Sequence, residues 1–190
     1  MPQILAEQRT DAWFAARKGK ITASLAGAIL GCDPHKGPLA AFNEITGVTL
    51  KGNGKRHTRW GVEHEAHARD EYEIVSGNLV MPAGFWVHPC YSWLGASPDG
   101  LIGDHGLVEI KCLGKLPEDV PPQYMVQMLI QLACTGRDWC DFYVWIGNEH
   151  TFLRRVLYEC KVINQIVADL EGWYKRHILT NTPPSRRKTA

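Results

Sequence analysis

The sequence predicts a mixed α/β fold, on three observations. Helix start and stop signals punctuate the chain as far as Gly77. Between residues 79 and 112 the pattern changes to short runs rich in Val, Phe and Trp, separated by turn residues. A proline-initiated helix, two further strands and a last helix complete the order. Helices, then a strand cluster, then helix and strands again is the order of a sheet flanked by helices. With 190 residues, 45% of them hydrophobic and 22% charged, the chain is long enough to enclose one core, and it carries no internal repeat.

Thr10 before acidic Asp11 starts a first helix, which Gly19 ends. A second runs from Thr22 to Leu30 and stops at Gly31; Pro38 opens a third, through Phe42 and Ile45, ended by Gly47. KGNGKRHTR, residues 51–59, is glycine-rich and basic and reads as a loop. Helical periodicity resumes from Trp60 to Val75 and ends at Ser76-Gly77. Residues 79–88 and 91–96 read as strands, LIGDHG as a turn with its tip at Gly103 to Gly106, and Leu107 to Cys112 as the next strand. Pro121-Pro122 precede a helix from Gln123 to Cys134, closed by Gly136. Strands over 139–146 and 151–157 and a helix from Tyr158 to His177 follow, and the polar tail TNTPPSRRKTA reads as frayed.

Composition narrows the function. A formal net charge of +1 gives no overall attraction to nucleic acid, so any basic surface must be local. No apolar run approaches the length of a membrane span, and MPQILAEQRTDAW lacks the basic and apolar regions of a signal peptide. None of the six cysteines stands in a C-x2-C pair; their spread reads as reduced, mostly buried thiols of a cytosolic chain rather than a structural zinc site. His64 and His67 fall on the polar side of their helix and read as exposed. H-E-x-x-H, D-x-D-x-D-G, G-x-S-x-G and Walker patterns are absent.

Chemistry concentrates in SPDGLIGDHGLVEIKCLG, residues 97–114. Side chains alternate faces along a strand, so Leu107, Glu109 and Lys111 share one face and Val108, Ile110 and Cys112 share the other, the core face. A hairpin of 91–102 with 107–112 brings Asp99 to Glu109. Converging carboxylates repel unless a divalent cation lies between them. Lys111 beside them can stabilise an anion, or orient and deprotonate a water. By itself D-x9-E-x-K is equally a surface hairpin with a Glu–Lys pair. Upstream, Glu65 shares an inward helical stripe with Val62, Ala68, Tyr72 and Val75. Its partner is either a metal shared with Asp99 and Glu109 or an arginine. Downstream, Gln123, Gln127 and Gln131 form a polar stripe opposite Met125, Met128, Leu129 and Leu132. Gln123 and Gln131 read as solvated, and Gln127 as the one placed to point into a site.

Four blocks, in order, resemble the phage lambda exonuclease or YqaJ-type viral recombinase family of the PD-(D/E)xK nuclease superfamily. WFAARKGKITAS (13–24) resembles its W-x3-R-x-G-x-I-T-A-S block, and WGVEHEAHAR (60–69) its W-G-x3-E-x2-A-R block. SPDG (97–100) followed by LVEIKC (107–112) resembles the S-P-D-G…L-E-x-K-C core, and QYMVQ (123–127) the glutamine motif. The resemblance implies a restriction-endonuclease-like core, a central mixed β-sheet flanked by helices, in a single nuclease domain over 1–180 with a polar tail over 181–190. It implies metal ligation by Glu65, Asp99, Glu109 and the backbone carbonyl of Ile110, catalysis by Lys111, and placing of the water or a ligand by Gln127. Arg17, Ser24 and Ser97 match positions that hold a 5′-terminal phosphate; Trp13 either frames that pocket or anchors the first helix.

The implied cofactor is Mg2+, two ions, with Mn2+ able to substitute. The implied reaction is 5′→3′ digestion of linear double-stranded DNA, leaving 3′ single strands for recombination by strand annealing. Implied partners are DNA ends, a homotrimeric ring of this chain and a single-strand annealing protein, with no membrane. The setting is the cytoplasm of a bacterial host, for a phage- or prophage-encoded enzyme. A ring reconciles near-neutral charge with DNA binding, because only its channel need be basic. Lys51, Lys55, Arg56 and Arg59 are then duplex contacts, or else a solvated loop. The segment KLPEDVPP is short against the lambda pattern, and the last residues carry little of the motif. Other readings are a structure- or sequence-specific endonuclease or an iron–sulfur nuclease of the same superfamily, the latter poorly served by the spacing of Cys134, Cys140 and Cys160. A catalytically inactive DNA-end-binding recombination module would lack an acid or the lysine, and all are present.

Overall fold

Two four-stranded mixed sheets and the helices against them make up the protein, seen in a computed structural model that describes residues 3–4, 8–48, 55–147 and 151–185, with the side chains of 3, 4 and 55–62 outside that description. In chain order the elements are β1 (Gln3–Ile4), α1 (Asp11–Arg17), β2 (Ile21–Thr22), α2 (Ala23–Leu30), α3 (Pro38–Thr46), α4 (Lys55–Ser76), β3 (Phe85–Val87) and β4 (Leu94–Ala96). Then follow β5 (Gly100–Ile102), β6 (Gly106–Cys112), α5 (Pro122–Thr135), β7 (Trp139–Trp145), β8 (Thr151–Leu157) and α6 (Cys160–Trp173), which runs on into a π-helical turn over Tyr174–Ile178. One sheet has the order β1-β3-β4-β2 and the other β5-β6-β7-β8.

The second sheet carries the residues of interest. β5 and β6 form an antiparallel hairpin, β6 and β7 run parallel, and β8 closes the edge antiparallel to β7. Parallel neighbours need a crossover, and α5 supplies it. Alternation along β6 and β7 then sorts two cores. Leu107, Cys140, Phe142 and Val144 face the larger core with α2, α5 and α6; Val108, Ile110, Tyr143 and Trp145 pack with Ala68 and Tyr72 of α4. Both faces of the sheet are therefore covered. The face of β6 that bears Glu109 is not the solvated side of a surface hairpin: Glu109 is 1% exposed.

Other expectations are corrected by local chemistry. The run 79–88 is a strand only at Phe85–Val87, with an isolated bridge from Met81 to Leu101. Pro82 has no N–H for a ladder, and Gly84 turns the chain at φ 68°. The run 91–96 is a strand only from Leu94, because Leu94 N donates to Tyr91 O in a turn. Part of the basic stretch 51–59 is helix, since α4 already begins at Lys55. Val75 does not continue the inward stripe of Ala68 and Tyr72; it is 52% exposed, one residue from the end of α4. Only Cys134 and Cys140 are buried, while Cys90 and Cys160 are exposed; no disulfide joins the six cysteines. His67 is exposed, whereas His64 is half-buried and stacks on Trp145. No helix among the described residues is long and apolar enough to cross a membrane.

Candidate active site

Asp99 enters the site from the turn before β5. Gly100 follows it because a Cβ there would collide with Val80 and crowd Val108. Leu101 exchanges backbone hydrogen bonds with Met81, so Gly100 and Ile102 face β6 and pair with Val108 and Gly106. Ile110 has the same parity, but β5 has ended, and its N–H donates instead to Asp99 Oδ2 at 2.7 Å. A strand residue sends its N–H and C=O to the same edge, so the Ile110 carbonyl also leaves at this open edge beside Asp99.

Glu109 projects from the other face of β6, under α5. Lys111 Nζ and Gln127 Nε2, the latter at 2.6 Å, both donate to Glu109 Oε1, and Gln131 Nε2 donates to Oε2 at 2.5 Å. Gln131 is thus not solvated but fully buried. Its other end accepts a long contact from Cys140 Sγ at 3.8 Å. Gln123 packs instead against Gly27 of α2. The Lys111 ammonium also lies 5.1 Å from the centre of the Tyr124 ring.

Electrostatics follow from burial. Desolvation, and then the charge of Glu109 with a smaller push from Glu65, raise the Asp99 carboxyl to about 8; Lys111 and the Ile110 N–H oppose the rise. Burial works against the Lys111 charge, yet Glu109 and Asp99 outweigh it and hold its pKa above the ordinary value. Lys111 is accordingly an ammonium here.

Glu65 stands on α4 and ends on arginines: Arg9 lies at 2.5 Å and Arg69 at 4.0 Å. Arg69 also donates to the Asp99 carbonyl at 3.3 Å, tying α4 to the Asp99 turn. Among the described residues no three His, Cys, Asp or Glu side chains are gathered tightly enough to hold an ion as they stand. Cationic and amide donors instead occupy Glu65 and Glu109.

A second constellation sits at the end of β4. Ser97 Oγ accepts from Trp13 Nε1 at 3.0 Å and from Arg17 at 3.2 Å, and the Arg17 guanidinium lies 4.0 Å over the Trp13 ring. Burial lowers the Arg17 pKa, with Glu44 pushing back. α1 buries none of its residues fully, and half-buried Trp13 takes part in this cluster. Ser24 is exposed at the start of α2, and its hydroxyl pairs with Thr22 Oγ1 at 3.2 Å, not with Arg17 or Ser97. Next to Arg17 lies a cleft of about 450 Å³ lined by Trp13, Phe14, Lys18, Lys20, Leu25 and Ile45.

Sequence reasoning therefore placed Asp99, Glu109, Lys111 and Gln127 together, and Trp13, Arg17 and Ser97 together. It missed Gln131, Arg9 and Arg69. Gln131 falls one turn after Gln127, and Arg69 closes the WGVEHEAHAR block, so a signal existed for both. Arg9 left none. Lys51 lies outside the described residues; Lys55, Arg56 and Arg59 belong to α4, with side chains outside the description.

Comparison with known proteins bears on the family and the fold. Residues 12–138 match the YqaJ-like viral recombinase domain. The uncharacterized protein YqaJ of Bacillus subtilis is 27% identical over 179 residues, covering 88% of this chain but 56% of the relative, so the chain spans about half that protein's length. The alkaline exonuclease LHK-Exo from Laribacter hongkongensis superposes with a TM-score of 0.74 at 32% identity, covering 91% of this chain and 94% of that one. A phage related exonuclease from Haemophilus somnus shares the fold, with a TM-score of 0.68 at 13% identity over 86% and 95% of the two chains. The expected restriction-endonuclease-like α/β architecture is the one observed. From the four sequence blocks, the hairpin that unites the last two of their acids and the match across 12–138, the chain belongs to the YqaJ-like viral recombinase domain family.

Proposed function

We propose that the chain is a divalent-metal-dependent deoxyribonuclease that digests linear duplex DNA from 5′ ends in recombination. The observation that carries this is the meeting of Asp99, Glu109 and Lys111 at the open edge of β6, with Gln127 above them. The likeness to LHK-Exo, an alkaline exonuclease, supports the same reading.

The donor set fits a hard cation, since every ligand offered is oxygen: Asp99, Glu109, the Ile110 carbonyl and Glu65. The state of Asp99 supports the fit, because burial and the negative charge beside it drive the carboxyl toward its neutral form. A bound Mg2+ pair, or Mn2+ in its place, would polarise the phosphodiester, activate water and steady the leaving oxygen. Lys111, charged as it stands, donates to the attacking water or to the charge developing on phosphate. Gln127 and Gln131 fix the Glu109 carboxylate from above. Arg17, Ser97 and Trp13, with Ser24 nearby, form the pocket for a 5′-terminal phosphate, which a planar guanidinium suits.

The finer parts of the reading are 5′→3′ polarity, a 3′ overhang as product, a homotrimeric ring around the duplex and loading of a single-strand annealing protein in a bacterial cytoplasm. The resemblance supports these, with Lys51, Lys55, Arg56 and Arg59 as duplex contacts in the channel. The test is digestion with Mg2+ of a linear duplex bearing a 5′ phosphate, the same duplex with a 5′ hydroxyl, and a closed circle. Loss of the 5′-phosphorylated strand is expected, slower digestion of the 5′-hydroxyl duplex, and none of the circle. Degraded circles would sink the exonuclease reading. Undiminished cleavage by Lys111→Ala would sink the site.

A further inference from the structure

Arg9 is a rare case of a non-glycine residue at positive φ, at 72°. That left-handed conformation is unfavourable for a long side chain and persists only where neighbours impose it. Both neighbours do. Gln8 Nε2 donates to the carbonyl of Pro98, next to Asp99, at 3.0 Å. Thr10 Oγ1 accepts from Trp13 N at 3.3 Å and caps α1. The backbone is thus pinned on either side of Arg9, and its guanidinium lands on Glu65 Oε2 at 2.5 Å. The pair lies at the rim of the site: the Arg9 side chain is 51% exposed and that of Glu65 24%.

Both side chains stay partly open to solvent, so the contact is an ion pair at the edge of the site and not part of a packed core. What it does is place a second cation, closer than Arg69 of the same helix, on the one acid of the site that the β5–β6 hairpin and the turn before it do not provide. A divalent ion and Arg9 compete for the same carboxylate. When the ion wins, an arginine pinned next to the Gln8–Pro98 contact is left at the rim of the site with an unpaired fork. Guanidinium forks pair with phosphate oxygens as they do with carboxylates. We propose that Arg9 is an exchange residue: it neutralises Glu65 in the metal-free protein and, once displaced by the ion, binds a backbone phosphate of the DNA strand entering the site. This rests on the nuclease reading above.

The exchange makes two demands that a merely structural arginine does not. In calorimetric titration of the whole chain with Mn2+ and no DNA, Arg9→Gln tightens binding by roughly two- to five-fold, the size of an exposed ion pair. Arg9→Lys keeps the charge and stays near the parent. In a Glu65→Gln background, Arg9→Gln has no further effect on Mn2+ affinity. In duplex binding with Ca2+ across a salt series, Arg9→Gln weakens binding and lowers the slope of log affinity against log salt by about 0.9, one phosphate contact. Arg9→Gly repeats both results while relieving the positive φ, so the outcome does not hang on one variant's folding. Unchanged or weaker Mn2+ binding, or an unchanged salt slope, overturns the proposal. If the parent digests duplex ends while both readouts stay flat, the exchange is wrong and the nuclease reading stands. A parent that binds neither Mn2+ nor DNA overturns both.

Discussion

Gln131 Nε2 donates to Glu109 Oε2 at 2.5 Å, deep under α5, while Gln127 and Lys111 meet the other oxygen nearer the surface. The inner oxygen is thereby anchored, and the outer one stays at the mouth of the site. Replacing Gln131 by Met keeps the volume and removes the donor. A buried carboxylate that loses one donor costs about 1–3 kcal/mol, and loss of a partner that orients a ligand costs roughly 10- to 100-fold in metal affinity or activity. Gln131→Met is therefore expected to lower the denaturation midpoint modestly and to cut cleavage severely. Parent-level cleavage by a folded Gln131→Met protein would reduce the contact to packing.

Asp99 gives the metal-free protein a pH dependence with a definite sign. Its folded carboxyl holds a proton up to about 8, whereas its ordinary value is 3.8. Below the lower value both states are protonated and stability is whole. Between the two values the unfolded chain releases a proton that the folded chain keeps, so stability falls as pH rises through that window. Thermal unfolding in chelator should show this decline, and Asp99→Asn should flatten it. If the proposed site holds a divalent ion, the ion would displace that proton, and metal affinity should climb with pH up to about 8 and then level. A metal affinity independent of pH across the window would contradict the placement of the proton on Asp99.

How much of this could be read in the sequence depended on distance along the chain. Asp99, Glu109 and Lys111 lie within one hairpin, where strand alternation and turn residues decide who meets whom, and they meet as expected. Gln127 was legible from its helical stripe. Gln131 sits on the same stripe, but periodicity gives a direction and not what lies there; only the β6–α5–β7 crossover shows that this side is roofed. The same limit hid the covering of both sheet faces. Arg9 and Glu65, far apart in sequence, meet through a strained backbone that no pattern announces. Buried Asp141 on β7 is a further case: Arg155 grips it at 2.8 and 2.9 Å and Tyr72 donates at 2.9 Å, joining β8, β7 and α4 across the back of the sheet. Its neighbours in sequence are Cys140 and Phe142, which say nothing of a partner on α4.

Gly27 couples the packing of α2 to the site. A Cβ at Gly27 would stand 2.9 Å from Gln123 Cβ and 3.0 Å from its Cα, in the first turn of α5. Backbone cannot give as a flexible side-chain tip can, so Gly27→Ala must push the two helices apart. Overpacking of this kind costs about 1–3 kcal/mol. The displacement falls on the helix that presents Gln127 and Gln131 one and two turns further on, both within tight hydrogen-bond reach of Glu109. Hydrogen bonds weaken steeply with small shifts, so cleavage should fall further than stability alone dictates at a temperature where the variant is fully folded. Gly37 is the control, because a methyl group there would meet nothing within 4 Å: Gly37→Ala should leave cleavage unchanged. Full activity in folded Gly27→Ala would mean that α5 is free to slide on α2 without disturbing Glu109.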